Sequence, residues 1–227
     1  MRFKDVFSII GPSMIGPSSS HTAGAARLGR IARRILGDAP EEAEIVFFGS
    51  FASTYSGHGT DLAIVAGLLD CDTDDPRIRD SLSIADSAGM KVDLRTSQKP
   101  APHPNTAEIL LKKGDRAVRI TGCSIGGGNI EIINVNGFDV KFSADYPTLL
   151  IFHDDRRGMI ADVTDVLRHA DANIGYMEVD RKSRSGDALT VIETDQAIDA
   201  AFLTQIRGLP NVRRICIIDL TGKEEGK

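Results

Sequence analysis

Two short segments hold most of the residue types able to do chemistry. The first, residues 15–30, reads IGPSSSHTAGAARLGR. Ser18, Ser19, Ser20 and Thr22 set four hydroxyls around His21, just ahead of an apolar-periodic run with no acid in its first turns. Free N–H groups at a helix start, with the positive end of the macrodipole, favour an anion. Pro17 stiffens the approach, and Ala23 and Gly24 leave it uncluttered. Capping a helix needs one Ser or Thr, so four hydroxyls plus a histidine point to a binding site. The segment is not a Walker loop: Gly11 and Gly16 have the spacing, but Pro17 stands where lysine is required. It contains no G-x-S-x-G and is no nucleophile elbow. Ser20 and His21 are neighbours whose side chains point apart, so they form no dyad.

The second segment, residues 49–65, reads GSFASTYSGHGTDLAIV. His58 lies between Gly57 and Gly59, and Thr60 opens a helical run. Flanking glycines let substrate approach the backbone closely, and a loop histidine is accessible. A neutral imidazole suits general-base work at neutral pH. Asp61 orients that ring or caps the helix.

The elements that must position these residues follow from periodicity. Residues 24–36 read as a helix, with Leu28, Ile31, Ala32 and Ile35 on one face and Gly37 as the stop. Arg27, Arg30, Arg33 and Arg34 fall on the other face, which reads as solvated or as a contact for an acidic partner. Residues 44–49 read as a buried strand and 61–69 as a helix with Thr60 as N-cap. The stretch 70–104 is polar and broken by prolines, with a short helix near 77–87. PNTAEILLKKG predicts a helix: Asn105 caps, Glu108 sits three residues on, lysines close the end and Gly114 follows. Val118 and Ile120 alternate with polar residues as in a strand. NIEIINV, Asn136-Gly137 and FDVKF form a hairpin signal, because Asn-Gly supplies the positive φ angles of a type I′ turn.

A boundary is expected near 143–146, giving an N-terminal domain over 1–145 and a second over 146–227. From Thr148 the pattern restarts as β-α-β-β-α-β, the ferredoxin-like order, and ends in the polar tail TGKEEGK. The fold class expected is therefore α+β: a mixed α/β substrate- or anion-binding domain followed by a ferredoxin-like one.

Composition narrows the function classes. The 227 residues carry a net charge of −5, 41% hydrophobic residues and 26% charged ones, as in ordinary globular proteins. Residues 1–40 hold six Lys or Arg against two Asp, a local +4. There is no Trp and aromatics are 5%. With an acidic pI near 5.5, that argues against nucleic-acid binding. No apolar run reaches membrane-spanning length, and MRFKDVFSIIGPSM has one short apolar patch without a signal-peptide layout. Cys71, Cys123 and Cys216 are odd in number and scattered. No C-x-x-C occurs, so no metal site within this chain is expected, and a reducing, cytoplasmic setting fits.

The C-terminal half resembles an ACT domain, through its element order and the turn HDDRRGMIADVTDVL. The resemblance implies that Gly158, with Asp154, Arg156 and Arg157 beside it, approaches an amino-acid effector at a domain interface. It also implies a homodimer through this domain. GPSSSHT, GHGTD and SIGGG at 124–128, in this order, resemble the β subunit of the iron–sulfur-dependent L-serine dehydratases, over Phe3 to about Leu220. That resemblance implies a partner α subunit holding a [4Fe–4S] cluster, with L-serine as substrate and pyruvate and ammonia as products. It assigns His58 as base for the α-proton with Thr60 in support. Ser18, Ser19, Ser20 and Thr22 then hold the carboxylate, and His21 donates a hydrogen bond or polarises the hydroxyl. Ser124 and Gly126–Gly128 line the site or permit a tight turn. The first domain is also similar to the intervening domain of some 3-phosphoglycerate dehydrogenases, which keeps an alternative open: a non-enzymatic, amino-acid-binding regulatory module.

Overall fold

The structure, a computed structural model, describes residues 12–220. The N-terminal apolar patch lies largely outside that range, and the tail TGKEEGK lies wholly outside it. Contacts divide the chain into two units, Met1–Gly137 and Phe138–Lys227.

The first unit is a mixed sheet backed by helices. A π-helical turn, Ser19–Ala23, runs straight into α1, Gly24–Leu36. Then come β1 (Glu42–Phe48), α2 (Gly49–Thr54) and α3 (Thr60–Leu68). A 3-10 turn over Pro76–Asp80 leads into α4 (Ser81–Ser87). The strands β2 (Lys91–Ser97), β3 (Asn105–Lys113), β4 (Arg116–Gly126) and β5 (Asn129–Val135) follow. Their order is β2-β1-β3-β4-β5, with β1 and β2 parallel and the other pairs antiparallel.

Two elements differ from the sequence reading. PNTAEILLKKG is not a helix but the central strand β3, in register with β1 through Ile45–Ile109 and with β4 through Ile109–Ile120. Ala107, Ile109 and Leu111 are fully buried, a period-two pattern that outweighs the local capping signal of Asn105 and Glu108. Glu108 instead accepts a hydrogen bond from Arg119 across the β3–β4 pair. The polar stretch 70–104 contains β2, an edge strand with no buried residue, whose alternation is confined to Val92 and Leu94 and so gives little signal.

Helix α1 is covered on both sides. Toward the sheet, Leu28 presses on Gly122, where a Cβ would stand 2.5 Å from Leu28 Cδ2. Toward α3, Gly29 and Gly67 meet at the crossing: a Cβ on Gly29 would stand 2.1 Å from the Ile64 carbonyl oxygen, and one on Gly67 2.1 Å from that of Ala26.

This double burial corrects the reading of the arginine face as solvated or partner-facing, because polar groups on a covered helix must be paired within the unit. Arg30 is 9% exposed and pairs with Asp70 at 3.4 Å and Asp72 at 3.2 Å. Arg34 joins Asp70 at 3.3 Å. Arg33 donates to the Leu68 carbonyl at 2.8 Å, and Arg27 to that of Gly128 at 3.2 Å. Three of the four arginines thus clamp the C-terminal end of α3, where cations complement the helix dipole.

The turn at Asn136–Gly137 has positive φ at both residues, 52° and 81°, as the Asn-Gly pair predicts. The division between units by contacts falls there. The next strand, β6 (Phe138–Phe142), belongs with the second unit. The Asp139 and Lys141 amides donate to Asp180 at 2.9 Å and Glu178 at 2.8 Å, and Ser143 donates to Glu193 at 3.2 Å.

That unit continues with β7 (Thr148–Asp154), α5 (Met159–His169), β8 (Ile174–Arg181), β9 (Asp187–Thr194), α6 (Ala200–Gly208) and β10 (Val212–Ile218). The β-α-β-β-α-β order builds an antiparallel sheet ordered β10-β7-β9-β8. Leu149, Ile151 and Ile192 from the sheet pack with Val163, Leu167 and Ile206 from the helices. No helix among the described residues is long and apolar enough to cross a membrane.

Candidate active site

β1 delivers the chain to Gly49, whose φ of 54° opens α2. A Cβ there would stand 2.6 Å from the Pro104 carbonyl oxygen, so only glycine fits. The Ser50 amide donates to that carbonyl at 2.7 Å, and this bond fixes where the Ser50 hydroxyl points. The Ser50 Oγ lies 3.1 Å from His21 Nε2, and Ser18 Oγ lies 3.3 Å from His21 Nδ1. Ser18 Oγ also accepts from the His21 amide at 3.2 Å. His21 is thus strung between two serines, both ring nitrogens engaged. A neutral ring carries one N–H, so one serine donates to it and the other accepts from it.

The His21 ring meets Phe51 edge-on at 5.3 Å between centroids and His58 at 5.0 Å. Burial pushes the His21 pKa below the ordinary histidine value, and a charge on His58 pushes it the same way. The ring is therefore neutral at pH 7. Its effect on folding has a definite sign: absent above the ordinary histidine range, destabilising as pH falls through it, because the unfolded chain takes the proton first. An NMR titration is expected to place the His21 midpoint below that of free histidine. A midpoint at or above it removes the neutral-ring assignment.

His58 is exposed. Its amide donates to the Thr54 carbonyl at 3.0 Å, which ties the loop to the end of α2. The N-cap of α3 is Gly59, with φ 68°, rather than Thr60. No side chain caps α3; Asp61 sits inside its first turn, where its carboxylate accepts from the Leu62 amide at 2.9 Å.

His58 stands on the wall of a cleft of about 350 Å³, with Gly16, Pro17, Thr22, Leu62 and Arg79 among the other lining residues. The loop on one side is pinned by the Ile15 amide to the Thr73 carbonyl at 2.8 Å and by the Thr73 hydroxyl to the Ser13 carbonyl at 2.6 Å. Among the described residues, no carboxylate lines the cleft.

The hydroxyls assigned from sequence fall in different places. Thr22 lines the cleft and is 2% exposed, and its Oγ1 has no hydrogen-bond partner among the described residues. Buried polar groups are nearly always partnered, and of the unpartnered hydroxyls of Thr22, Thr60 and Ser124, that of Thr22 belongs to a cleft-lining residue. Ser18 is engaged with His21. Ser19 and Ser20 sit half-buried in the π-helical turn, outside the cleft lining. Thr60 is fully buried with its hydroxyl unpartnered, and so is Ser124.

Ser124 packs against Gly24, where a Cβ would stand 2.1 Å from its Oγ, so it is not brought into the cleft. Residues 122–126 spell G-x-S-x-G, yet Ser124 lies within β4 and not at the strand-to-helix turn that exposes a nucleophile. Gly126, Gly127 and Gly128 all have positive φ, 103°, 63° and 80°, which is the tight-turn reading of SIGGG.

Two site residues escaped the sequence reading. Ser50 had a signal, a Gly-Ser pair directly after an apolar strand. Arg79 had none that separates it from Arg77.

The thiols of Cys71, Cys123 and Cys216 are free and buried, and burial raises the pKa of each. No three His, Cys, Asp or Glu side chains among the described residues come together as a metal site. These donors do not fit an iron–sulfur cluster.

In the second unit, Gly158 has φ 81° and opens α5. The turn borders a concavity of about 860 Å³. Asp154 is engaged there by Arg213 and by Asn211 at 3.2 Å, and Arg156 by Asp162 at 2.6 Å. Arg157 lines the same surface, with no ion pair among the described residues.

Fold and cleft define an α/β unit with an accessible histidine on an acid-free cleft, followed by a β-α-β-β-α-β unit. The family model described as serine dehydratase beta chain matches residues 3–133. The probable L-serine dehydratase, beta chain, of Bacillus subtilis (strain 168) is 48% identical, over 95% of this chain and 98% of that one. The L-serine dehydratase, beta chain, of Peptoniphilus asaccharolyticus is 34% identical, over 89% of this chain and 92% of that one. A solution structure of the ACT domain from the GTP pyrophosphokinase of Chlorobium tepidum aligns with 37% of this chain and 94% of its own, at 20% identity and a TM-score of 0.27. The chain belongs to the serine dehydratase beta chain family.

Proposed function

We propose that this chain is one subunit of a two-chain L-serine dehydratase, which converts L-serine to pyruvate and ammonia. In this reading a partner α subunit ligates a [4Fe–4S] cluster, and the present chain closes over the substrate. The observation that carries it is the acid-free cleft, where accessible His58 stands with the unpartnered Thr22 hydroxyl. The cluster supplies Lewis-acid chemistry at the β-hydroxyl, and the cysteines of this chain have no part in holding it.

The chain's own residues bind the substrate and move the proton. The His58 imidazole takes the α-proton and becomes imidazolium. The carbon–hydrogen electron pair forms the Cα–Cβ double bond as the Cβ–O bond breaks, and the hydroxyl leaves as water with one proton. The aminoacrylate tautomerises and is hydrolysed to pyruvate and ammonia. Neutral His21 beside it sets no like charge against that step. Ser18 and Ser50 hold the His21 ring, and the His21 ring abuts His58. The Thr22 hydroxyl donates to the substrate. In the second unit, the Gly158 turn with Arg157 is the proposed effector site, and self-association runs through that unit.

The test mixes this chain with the α subunit, reconstitutes iron and sulfide without oxygen, and measures pyruvate from L-serine. Activity is expected only in the mixture. A mixture that binds L-serine but forms no pyruvate overturns the lyase reading in favour of a regulatory module.

A further inference from the structure

We propose that Arg79 anchors the substrate carboxylate, a role that rests on the dehydratase reading above. Among the described residues, Arg79 is the permanent cation lining the cleft that His58 and Thr22 share. It is exposed and has no ion pair or hydrogen bond to its side chain among the described residues. Its neighbour on the same turn behaves differently. Arg77 donates from Nε to both Asp75 oxygens at 3.0 Å, so its charge is spent internally.

The turn carrying both is rigidly seated. Ile78, between them, is 3% exposed, and the Ser81 hydroxyl donates to the Leu62 carbonyl at 2.7 Å. The cleft therefore presents a guanidinium on a fixed backbone, with no carboxylate among the lining residues to neutralise it. A planar five-donor fork matches a carboxylate's two oxygens. Ser18, by contrast, is occupied with His21, and Ser19 and Ser20 lie outside the lining, so they offer the carboxylate no charge. Thr22 and His58 line the same cleft, so a carboxylate held by Arg79 lies in the space they border.

The test compares Arg79→Met and Arg79→Lys in the assembled two-chain enzyme, with L-serine and the uncharged analogue L-serinamide. Arg79→Met is expected to raise KM for L-serine roughly 10–100-fold and to leave that for L-serinamide unchanged, so the preference for the carboxylate collapses. Arg79→Lys restores part of it. A variant that keeps the wild-type preference for L-serine overturns the anchor while the dehydratase reading stands. A second readout does not need turnover: phenylglyoxal labelling of the assembled pair, followed by peptide mass spectrometry. L-Serine is expected to protect Arg79 and not Arg77, and L-serinamide to protect neither. Labelling of Arg79 that L-serine does not slow overturns the anchor, whereas protection without pyruvate formation overturns only the dehydratase reading.

Discussion

Replacing His58 with Gln lowers kcat of the assembled enzyme by roughly 10²–10⁴, the usual span for removal of a general base, and changes KM little. The size of the loss follows from the cleft. Among the described residues its lining holds no Asp, Glu, Lys or second His, so none of them can take over the proton. Gln keeps the polarity and approximate bulk of the side chain and removes the basic nitrogen. The flanking loop is held by backbone bonds from His58 to Thr54 and from Thr60 to Tyr55, which the substitution leaves intact.

His21 is a poor substitute, because both its ring nitrogens are tied to serines and its basicity is depressed by burial. His21→Gln is therefore expected to cost less than His58→Gln, because His21 acts through its contact with His58. Steady-state pyruvate formation by the two variants decides the matter. Near-normal turnover in His58→Gln, with collapse in His21→Gln, reverses the assignment.

The two histidines were legible in sequence because each sits in a segment crowded with glycines and hydroxyls. Their meeting was not. His21 and His58 come together from segments that open α1 and α3, which pack where Gly29 faces Gly67, a tertiary contact that no local pattern encodes. Ser50 is likewise assigned by a bond to His21, 29 residues away. The β-α-β-β-α-β unit was legible throughout because its alternation and helical periodicity agree with its tertiary burial. At β3 they conflict: Asn105 and Glu108 mimic a capping box, while the sheet selects the alternation of Ala107, Ile109 and Leu111. β2 was missed for the opposite reason, since an edge strand with polar residues carries little hydrophobic signal. The arginines of α1 misled because pattern alone shows a polar stripe, not that Asp70 and Asp72 fold back to meet it.

Gly29→Ala is expected to destabilise the first unit by about 2 kcal/mol or more, and to lower turnover with it. The new Cβ would stand 2.1 Å from the Ile64 carbonyl oxygen and 3.0 Å from Gly67 Cα. Both atoms are backbone, so the clash cannot be relieved by a rotamer change; the helices must separate. Overpacking of this kind costs about 1–3 kcal/mol, occasionally more. Alanine's better helix propensity returns about 1 kcal/mol, and a rigid helix–helix contact places the cost at the upper end.

Gly67→Ala meets the Ala26 carbonyl at the same distance and should cost a similar amount. The double variant should cost less than the sum, because helices already separated for one methyl accommodate the second. Urea midpoints of the single and double variants test this; additive losses, or losses below about 0.5 kcal/mol, the scale of ordinary surface substitutions, contradict the close crossing. The same crossing links stability to catalysis. α1 begins directly after the turn that holds His21, and α3 begins two residues after His58. Separating the helices widens the 5.0 Å contact between the rings, so kcat should fall in step with the urea midpoint while the carboxylate preference conferred by Arg79 persists.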